Sequence, residues 1–331
     1  MAAPPSPLPS ASSRPADGGL TRPRRLAPGD RVALVAPSGP IDPGRLEAGC
    51  AILRSWGLEP VVGAHVLDTH PTLGHFAGTD ADRAADFRDA WLDPGIAAVL
   101  CARGGYGSQR VVDLLDWDAL RAVPPKVLIG FSDATVLHET VAQRLGLVTL
   151  YGPMGAGASF VGDGPTAEHL RRTLFDPASV LTLTGPDAGP LVPGRARGVT
   201  AGGCAAVLAV ERGTPGARPS FAGTILLLED VNEHPYQLDR ILTQLVRSGA
   251  LDGVNGVALG SWEGCGPPEF VREVMLARLG PLGVPVLWEL GFGHAGSTLT
   301  VPLGVPALLD ADAGTLTLDV PALLDVSAPA E

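Results

Sequence analysis

From Arg31 onward the chain alternates short apolar runs with longer stretches in which apolar positions recur at helical spacing. Val32–Val35, Pro60–Val66, Ala97–Cys101, Lys126–Ile129 and Leu147–Tyr151 read as buried strands. Between the first two, Leu46, Gly49, Cys50 and Leu53 fall on one face of a helix predicted over Pro43–Trp56, with Gly57 as its stop. Thr79 stands three residues before Asp82, the spacing of a capping pair, and predicts a helix that runs to about Trp91. Further helices are predicted over Ser108–Leu115 and Ala134–Leu145. Strand and helix alternating at this spacing build βα units, hence a mostly parallel sheet with helices on both faces.

The rhythm changes at the glycine-rich stretch Gly155–Pro165, which reads as a linker. Beyond it, Thr166–Phe175 is helical in pattern, and Ser179–Thr200 is strand-like but broken by Pro and Gly. Thr224–Leu228 is an apolar strand that leads through Glu229–His234 into a helix predicted over Pro235–Ser248. That helix has Leu238, Ile241, Leu242 and Leu245 on one face and Gly249 as its stop. Strands at Gly256–Ser261 and Val284–Glu289 flank a helix at Glu269–Leu279, and Ser297–Leu318 holds short strands and turns. The expected organisation is an arm over 1–25, a first α/β domain over 26–155, a connecting segment over 156–195 and a mixed α+β domain over 196–331.

Composition narrows the picture. Of the 331 residues 45% are hydrophobic, enough for a buried core throughout. No apolar run approaches the roughly eighteen residues that a membrane-spanning helix needs. The arm is rich in Pro, Ser and Ala, lacks the apolar block of a secretory signal, and reads as disordered. It carries four Arg against one Asp, so the net charge of −11 leaves −14 on the remainder. Such a surface repels phosphate backbones and argues against a nucleic-acid partner. Cys50, Cys101, Cys204 and Cys265 form no CxxC pair and read as free thiols, so a reducing, cytoplasmic compartment is expected.

Three places carry candidate chemistry. In Lys126-Val-Leu-Ile-Gly-Phe-Ser-Asp-Ala-Thr135 a strand runs through Gly-x-Ser into a helix. A tight turn there exposes the Ser132 hydroxyl, and free N–H groups at the helix start can hold an oxyanion. Simple helix capping by the Ser132-Asp133 pair accounts for the same residues. At Leu226-Leu-Leu-Glu-Asp-Val-Asn-Glu-His234, Glu229 directly continues a buried run, while Asn232 suits a helix cap. In Gly291-Phe-Gly-His-Ala-Gly296 a histidine stands among glycines, where a tightly turning loop can aim its ring; ordinary core or surface residence remains the alternative. Together these give a Ser…Glu…His order, in which His activates Ser and the carboxylate orients His. The Arg103-Gly-Gly-Tyr-Gly107 turn follows a strand and opens a helix; it lacks Gly-x-Gly-x-x-Gly and suits an anion or substrate contact better than a dinucleotide. Asp68, His70 and His75 are close in sequence, but their loop also reads as an ordinary connection, and no metal site is expected. His138 and His234 read as structural.

These segments resemble the serine peptidase family of LD-carboxypeptidases and microcin-immunity proteins. The likeness spans about Gly29 to Leu318 and rests on Gly29-Asp-Arg-Val-Ala-Leu-Val-Ala-Pro-Ser-Gly39, Ala77-Gly-Thr79 with Arg83, and Ala102-Arg-Gly-Gly-Tyr-Gly107. It continues through Ile129-Gly-Phe-Ser-Asp-Ala-Thr135, Tyr151-Gly-Pro-Met154, Leu228-Glu-Asp-Val-Asn-Glu-His-Pro-Tyr236 and Gly293-His294. It implies a flavodoxin-like amino-terminal domain with a parallel sheet and a smaller, β-rich, swivelling carboxy-terminal domain, with the site at their junction. It implies Ser132 as nucleophile, Glu229 as acid partner and His294 as base, with amides near Asp133 and Gly105 as the oxyanion hole. It further implies homodimers and no metal or cofactor. Gly104, Tyr106 and Arg103 are the expected substrate contacts, Arg103 as anchor for a terminal carboxylate. Gly202-Gly-Cys-Ala205 stands where the family usually has Gly-Gly-Asn-Leu. Of the family's two substrate classes, murein tetrapeptides and aminoacyl- or peptidyl-adenylates, the first is favoured, because the short stretch from Pro186 to Arg197 leaves little room for an adenine-stacking loop and Glu233-His-Pro-Tyr236 points the same way. A non-catalytic peptide-binding module is the remaining alternative.

Overall fold

The computed structural model describes residues 19–325. The first part of the chain runs β1 (Arg31–Val35), α1 (Pro43–Ser55), β2 (Glu59–Val62), α2 (Asp80–Leu92), β3 (Ile96–Cys101), α3 (Ser108–Val112), α4 (Trp117–Arg121), β4 (Val127–Gly130), α5 (Thr135–Arg144) and β5 (Thr149–Tyr151). Its five strands are parallel, in the order β5-β4-β3-β1-β2. Cys50 and Leu53 of α1 pack on one face of this sheet, and Phe87 and Trp91 of α2 with Leu137 and Val141 of α5 pack on the other. The fold is therefore the expected flavodoxin-like layering. Helix α1 starts where Asp42 accepts the Arg45 amide ahead of Pro43, and α2 starts in the expected box, Thr79 and Asp82 capping each other.

The chain continues through α6 (Ala158–Gly162), α7 (Gly164–Phe175), β6 (Thr182–Leu183), β7 (Gly189–Val192), β8 (Arg195–Cys204), α8 (Ala205–Val210), β9 (Thr224–Glu229), α9 (Pro235–Arg247), β10 (Gly256–Leu259), α10 (Pro268–Leu279), β11 (Val286–Trp288), β12 (Val301–Leu303), β13 (Pro306–Asp310) and β14 (Thr315–Leu318). A second, eight-stranded sheet has the order β6-β14-β13-β8-β9-β10-β11-β7, with β8 to β11 parallel and the outer strands antiparallel. Strand β9 is buried at every position yet still alternates. Leu226 and Leu228 face α9 and α10, while Ile225 and Leu227 face the first sheet.

Three expectations are corrected. The segment 156–195 is no linker: Phe160, Leu170 and Leu174 of α6 and α7 belong to the first core, and β6 and β7 edge the second sheet. Gly155, which opens the glycine-rich stretch, serves close packing, since a Cβ there would sit 3.0 Å from both Leu34 and Leu100 side chains. Thr21 to Arg25, assigned to the arm from the sequence, are tied to the fold. Residues 1–18 lie outside the described residues, but Thr21 bridges Leu147, Arg24 bridges Leu324, and Leu26 is fully buried. The division at residue 155 is also crossed, because β12 returns to pair antiparallel with β5. Pairings so distant in sequence leave no local signature. Among the described residues no helix is long and apolar enough to cross a membrane, and all four cysteines are free and buried.

Candidate active site

Strand β4 ends at Gly130 and turns directly into α5. A side chain on Gly130 would meet Cys101 Cβ at 3.0 Å and Ala134 Cβ at 3.1 Å, so glycine lets the turn close. Ser132, at its apex, has φ 59°, the left-handed conformation that an L-residue holds only at a cost of about 1–2 kcal/mol. The strained turn lifts the hydroxyl out of the backbone toward the second sheet. There His294 Nε2 lies 3.1 Å from Ser132 Oγ, and His294 Nδ1 lies 2.6 Å from Glu229 Oε2. Glu229 is the last residue of β9 and is fully buried. Gly293 allows the histidine loop past it: φ is +103°, and any side chain would collide with the Glu229 carboxylate. Phe131 braces the imidazole edge-on, ring centroids 4.7 Å apart.

The charges are consistent with a base held ready. Burial by itself would drive the proton off His294, but the hydrogen bond and charge of Glu229, with Asp230 behind, outweigh it and raise the pKa above its ordinary 6.5. Burial, with Glu229 beside it, pushes Asp230 up to about 6. Asp230 Oδ2 accepts the Ala206 amide at 2.8 Å, and Oδ1 accepts the Val231 amide at 2.9 Å and the Cys204 thiol at 3.6 Å. Burial and these carboxylates push the Cys204 thiol far up, so it is neutral. Cys204 is thus held as a neutral thiol donor to Asp230.

Asp133 does not cap α5. Its Oδ2 accepts the Ser38 hydroxyl at 2.5 Å and the Ser108 amide at 2.8 Å, tying the loops after β1 and β3 to the serine turn. The Gly104–Gly105 turn is brought against Ser132: a Cβ on Gly104 would lie 3.2 Å from Ser132 Oγ. Gly105 has φ +113°, and its amide N–H and that of Asp133 have no acceptor among the described residues. Arg103 is exposed, meets no carboxylate among the described residues, and donates Nη1 to Pro40 O at 2.5 Å. Tyr106 is half-exposed and leans on Phe76 and His75, ring centroids 5.4 and 6.4 Å away.

Elsewhere, His138 is buried with Nε2 on Gly130 O at 2.8 Å, and His234, not Asn232, holds the N-cap position of α9, its amide donating to Gln237 Oε1 at 2.7 Å. His70 accepts the Thr72 and Leu73 amides, and Asp68 pairs with His65; with Asp82 these last two form a partly exposed cluster that includes neither His70 nor His75. One residue of the site was missed. Tyr151 Oη donates to Glu229 Oε1 at 2.5 Å and accepts the Ser132 amide at 3.1 Å. A tyrosine ending a buried strand, rather than an aliphatic residue, was the available signal.

Comparison with known proteins finds relatives across both domains. Residues 32–152 match the LD-carboxypeptidase N-terminal domain and residues 197–309 the LD-carboxypeptidase C-terminal domain. A relative from Streptomyces coelicolor is 62% identical over 300 residues, covering 91% of this chain and 96% of the relative. The murein tetrapeptide carboxypeptidase of Pseudomonas aeruginosa is 33% identical over 291 residues, covering 85% and 94%. The structure of MccF, a microcin C7 self-immunity protein, in complex with glutamyl sulfamoyl guanosine shares the fold, with a TM-score of 0.81 at 24% identity over 92% of this chain and 100% of that one. Matched across both domains, the chain belongs to the LD-carboxypeptidase family.

Proposed function

We propose that the protein is a serine carboxypeptidase that hydrolyses the L-to-D bond before the terminal D-alanine of murein tetrapeptides. The observation that carries this reading is the unbroken line from Ser132 Oγ through His294 to Glu229. With Glu229 accepting the Nδ1 proton, Nε2 is free to take the serine proton as Oγ attacks the carbonyl before the D-residue. The oxyanion that forms meets the free amides of Gly105 and Asp133, each contributing about 3 kcal/mol. The imidazolium, stabilised by Glu229, returns its proton to the leaving amine. Water, deprotonated by His294, then cleaves the acyl-serine ester and restores the hydroxyl. Arg103 keeps guanidinium N–H groups beyond the one given to Pro40, and these bind the substrate's terminal carboxylate, with Gly104 and Tyr106 lining its approach. No step needs a metal or cofactor.

The Pseudomonas relative's name supports a murein peptide as substrate. An adenylate substrate would need an aromatic side chain to stack on its base, and residues 186–197 contain none. The family likeness also brings a homodimer and a cytoplasmic location into the proposal, open to analytical ultracentrifugation and cell fractionation.

The test is mass spectrometry of a murein tetrapeptide incubated with wild type and with Ser132→Ala. The expected result is release of D-alanine by the wild type and a fall of at least about 10⁴-fold in the variant. Equal release by both would overturn the serine mechanism, and cleavage of an aminoacyl-adenylate analogue in its place would overturn the substrate. Because His294 must be neutral to act as base and its pKa is raised, kcat/KM is expected to rise with pH through a midpoint above 6.5.

A further inference from the structure

Tyr151 touches two members of the triad and belongs to neither the substrate cleft nor the reacting atoms. Its ring is 1% exposed at the end of β5. A phenol carries one proton. The Ser132 amide can only donate to the phenol oxygen, so that proton must go to Glu229, as the 2.5 Å contact requires. The Glu229 carboxylate is therefore shared, Oε2 with His294 and Oε1 with Tyr151. The two acceptors and donors come from different sheets, Ser132 and Tyr151 from the first and Glu229 from the second. The backbone has been shaped to let them meet. Gly203 has φ +147°, and a side chain there would lie 2.6 Å from Thr135 Oγ1 and 3.0 Å from the Tyr151 ring. Thr135 Oγ1 in turn accepts the Cys204 amide at 3.0 Å and fixes the end of β8 beside this contact.

We propose that Tyr151 is a positioning residue for the triad: its hydroxyl holds Glu229 in line with His294, supports the left-handed Ser132 backbone, and, by sharing the carboxylate's charge, sets the pH at which His294 releases its proton. The proposal rests on the catalytic reading of the triad given above. Burial, and then the charge of Glu229, push the phenol well above its ordinary 10, so it remains a donor across the working pH range. Removing the hydroxyl leaves the whole carboxylate charge facing the imidazole, which must then hold its proton to higher pH. The ring also packs against Phe131, His138 and Phe292, at centroid distances of 6.2, 5.6 and 6.0 Å, so a purely structural role is the rival.

Tyr151→Phe separates the two, because it keeps the ring and removes only the hydroxyl. The first readout is NMR titration of the His294 imidazole in the full-length protein, which needs no substrate. Its midpoint is expected to rise by about half a pH unit or more. The second is turnover of the tetrapeptide, where kcat is expected to fall about tenfold with KM within about twofold. A lower Tm with an unmoved titration and unchanged kcat would overturn the proposal and leave Tyr151 as packing. Should the variant fail to fold, 3-fluorotyrosine decides the matter. The chain has three tyrosines, the other two exposed, and the more acidic phenol is expected to shift the His294 midpoint down; no shift would overturn the proposal. Absence of tetrapeptide cleavage by the wild type would instead count against the substrate reading, while the titration still decides the role of Tyr151.

Discussion

Gly293 shows how much of the site depends on an atom that is missing. With φ +103° and the Glu229 carboxylate where a Cβ would go, only glycine brings His294 within reach of its partner. Gly293→Ala is expected to fold, by circular dichroism, and to lose about 100-fold or more in kcat through displacement of the imidazole. Glu289 is the opposite case, a residue that strains its surroundings. It has φ 53°, and burial, with Asp187 and Glu263 nearby, pushes its carboxyl up to about 7. A carboxyl whose folded pKa is raised costs stability once pH passes its ordinary 4.5, and the cost is complete above about 7. Glu289→Gln is therefore expected to raise Tm at pH 8 and to leave it unchanged near pH 4, as a thermal melt at each pH will show.

At the scale of elements, α2 links stability to the shape of the cleft. Its Arg83 is buried and donates to Pro37 O and Gly107 O, carbonyls of the loops after β1 and β3, while pairing with Asp80. Asp133 draws the same two loops together through Ser38 and Ser108. The loops that surround the serine are thus set from below by a cation and from the side by a carboxylate. The capping box that starts α2 is further away. Thr79→Ala removes the acceptor of the Asp82 amide and is expected to cost about 1 kcal/mol in denaturant unfolding with kcat unchanged.

At the scale of the whole molecule the two sheets are not separable bodies. Val148, Tyr151 and Val301 of the first share one apolar core with Ile225, Leu227 and Leu287 of the second. The loop bearing His294 is fastened to the first layer by α7: Thr166 Oγ1 accepts the Thr298 amide at 2.9 Å, and His169 Nδ1 accepts the Thr300 amide at 3.1 Å. That contact requires neutral His169. Burial, with Arg172 nearby, lowers its pKa to about 4 from the ordinary 6.5. A histidine lowered in this way contributes stability that is complete above about 6.5 and is lost as pH falls through about 4. Tm is expected to fall between pH 7 and pH 4, and His169→Gln, which keeps an acceptor, is expected to flatten that slope.

Much of this was readable along the chain because it is local. Apolar runs and helical patterning predicted β1 to β5 and α1, α2, α3 and α5 to within a few residues but not α4, and Thr79 with Asp82 marked the start of α2. Residue types in context singled out Ser132, Glu229 and His294, since a serine at a strand-to-helix turn, a carboxylate closing a buried strand and a histidine among glycines are unusual locally. The sequence left open whether these three meet, and it concealed Tyr151, whose function lies in contacts made 19 residues away to Ser132 and 78 residues away to Glu229. It also misread 156–195 and the end of the arm, because packing glycines resemble flexible ones and bridges such as Arg24 to Leu324 involve no sequence neighbour. Sequence alone determined most of the secondary elements and the chemical groups available, which depend on near neighbours; tertiary structure decided their alignment, because hydrogen bonds act over about 3 Å and only the joined sheets bring those groups so close.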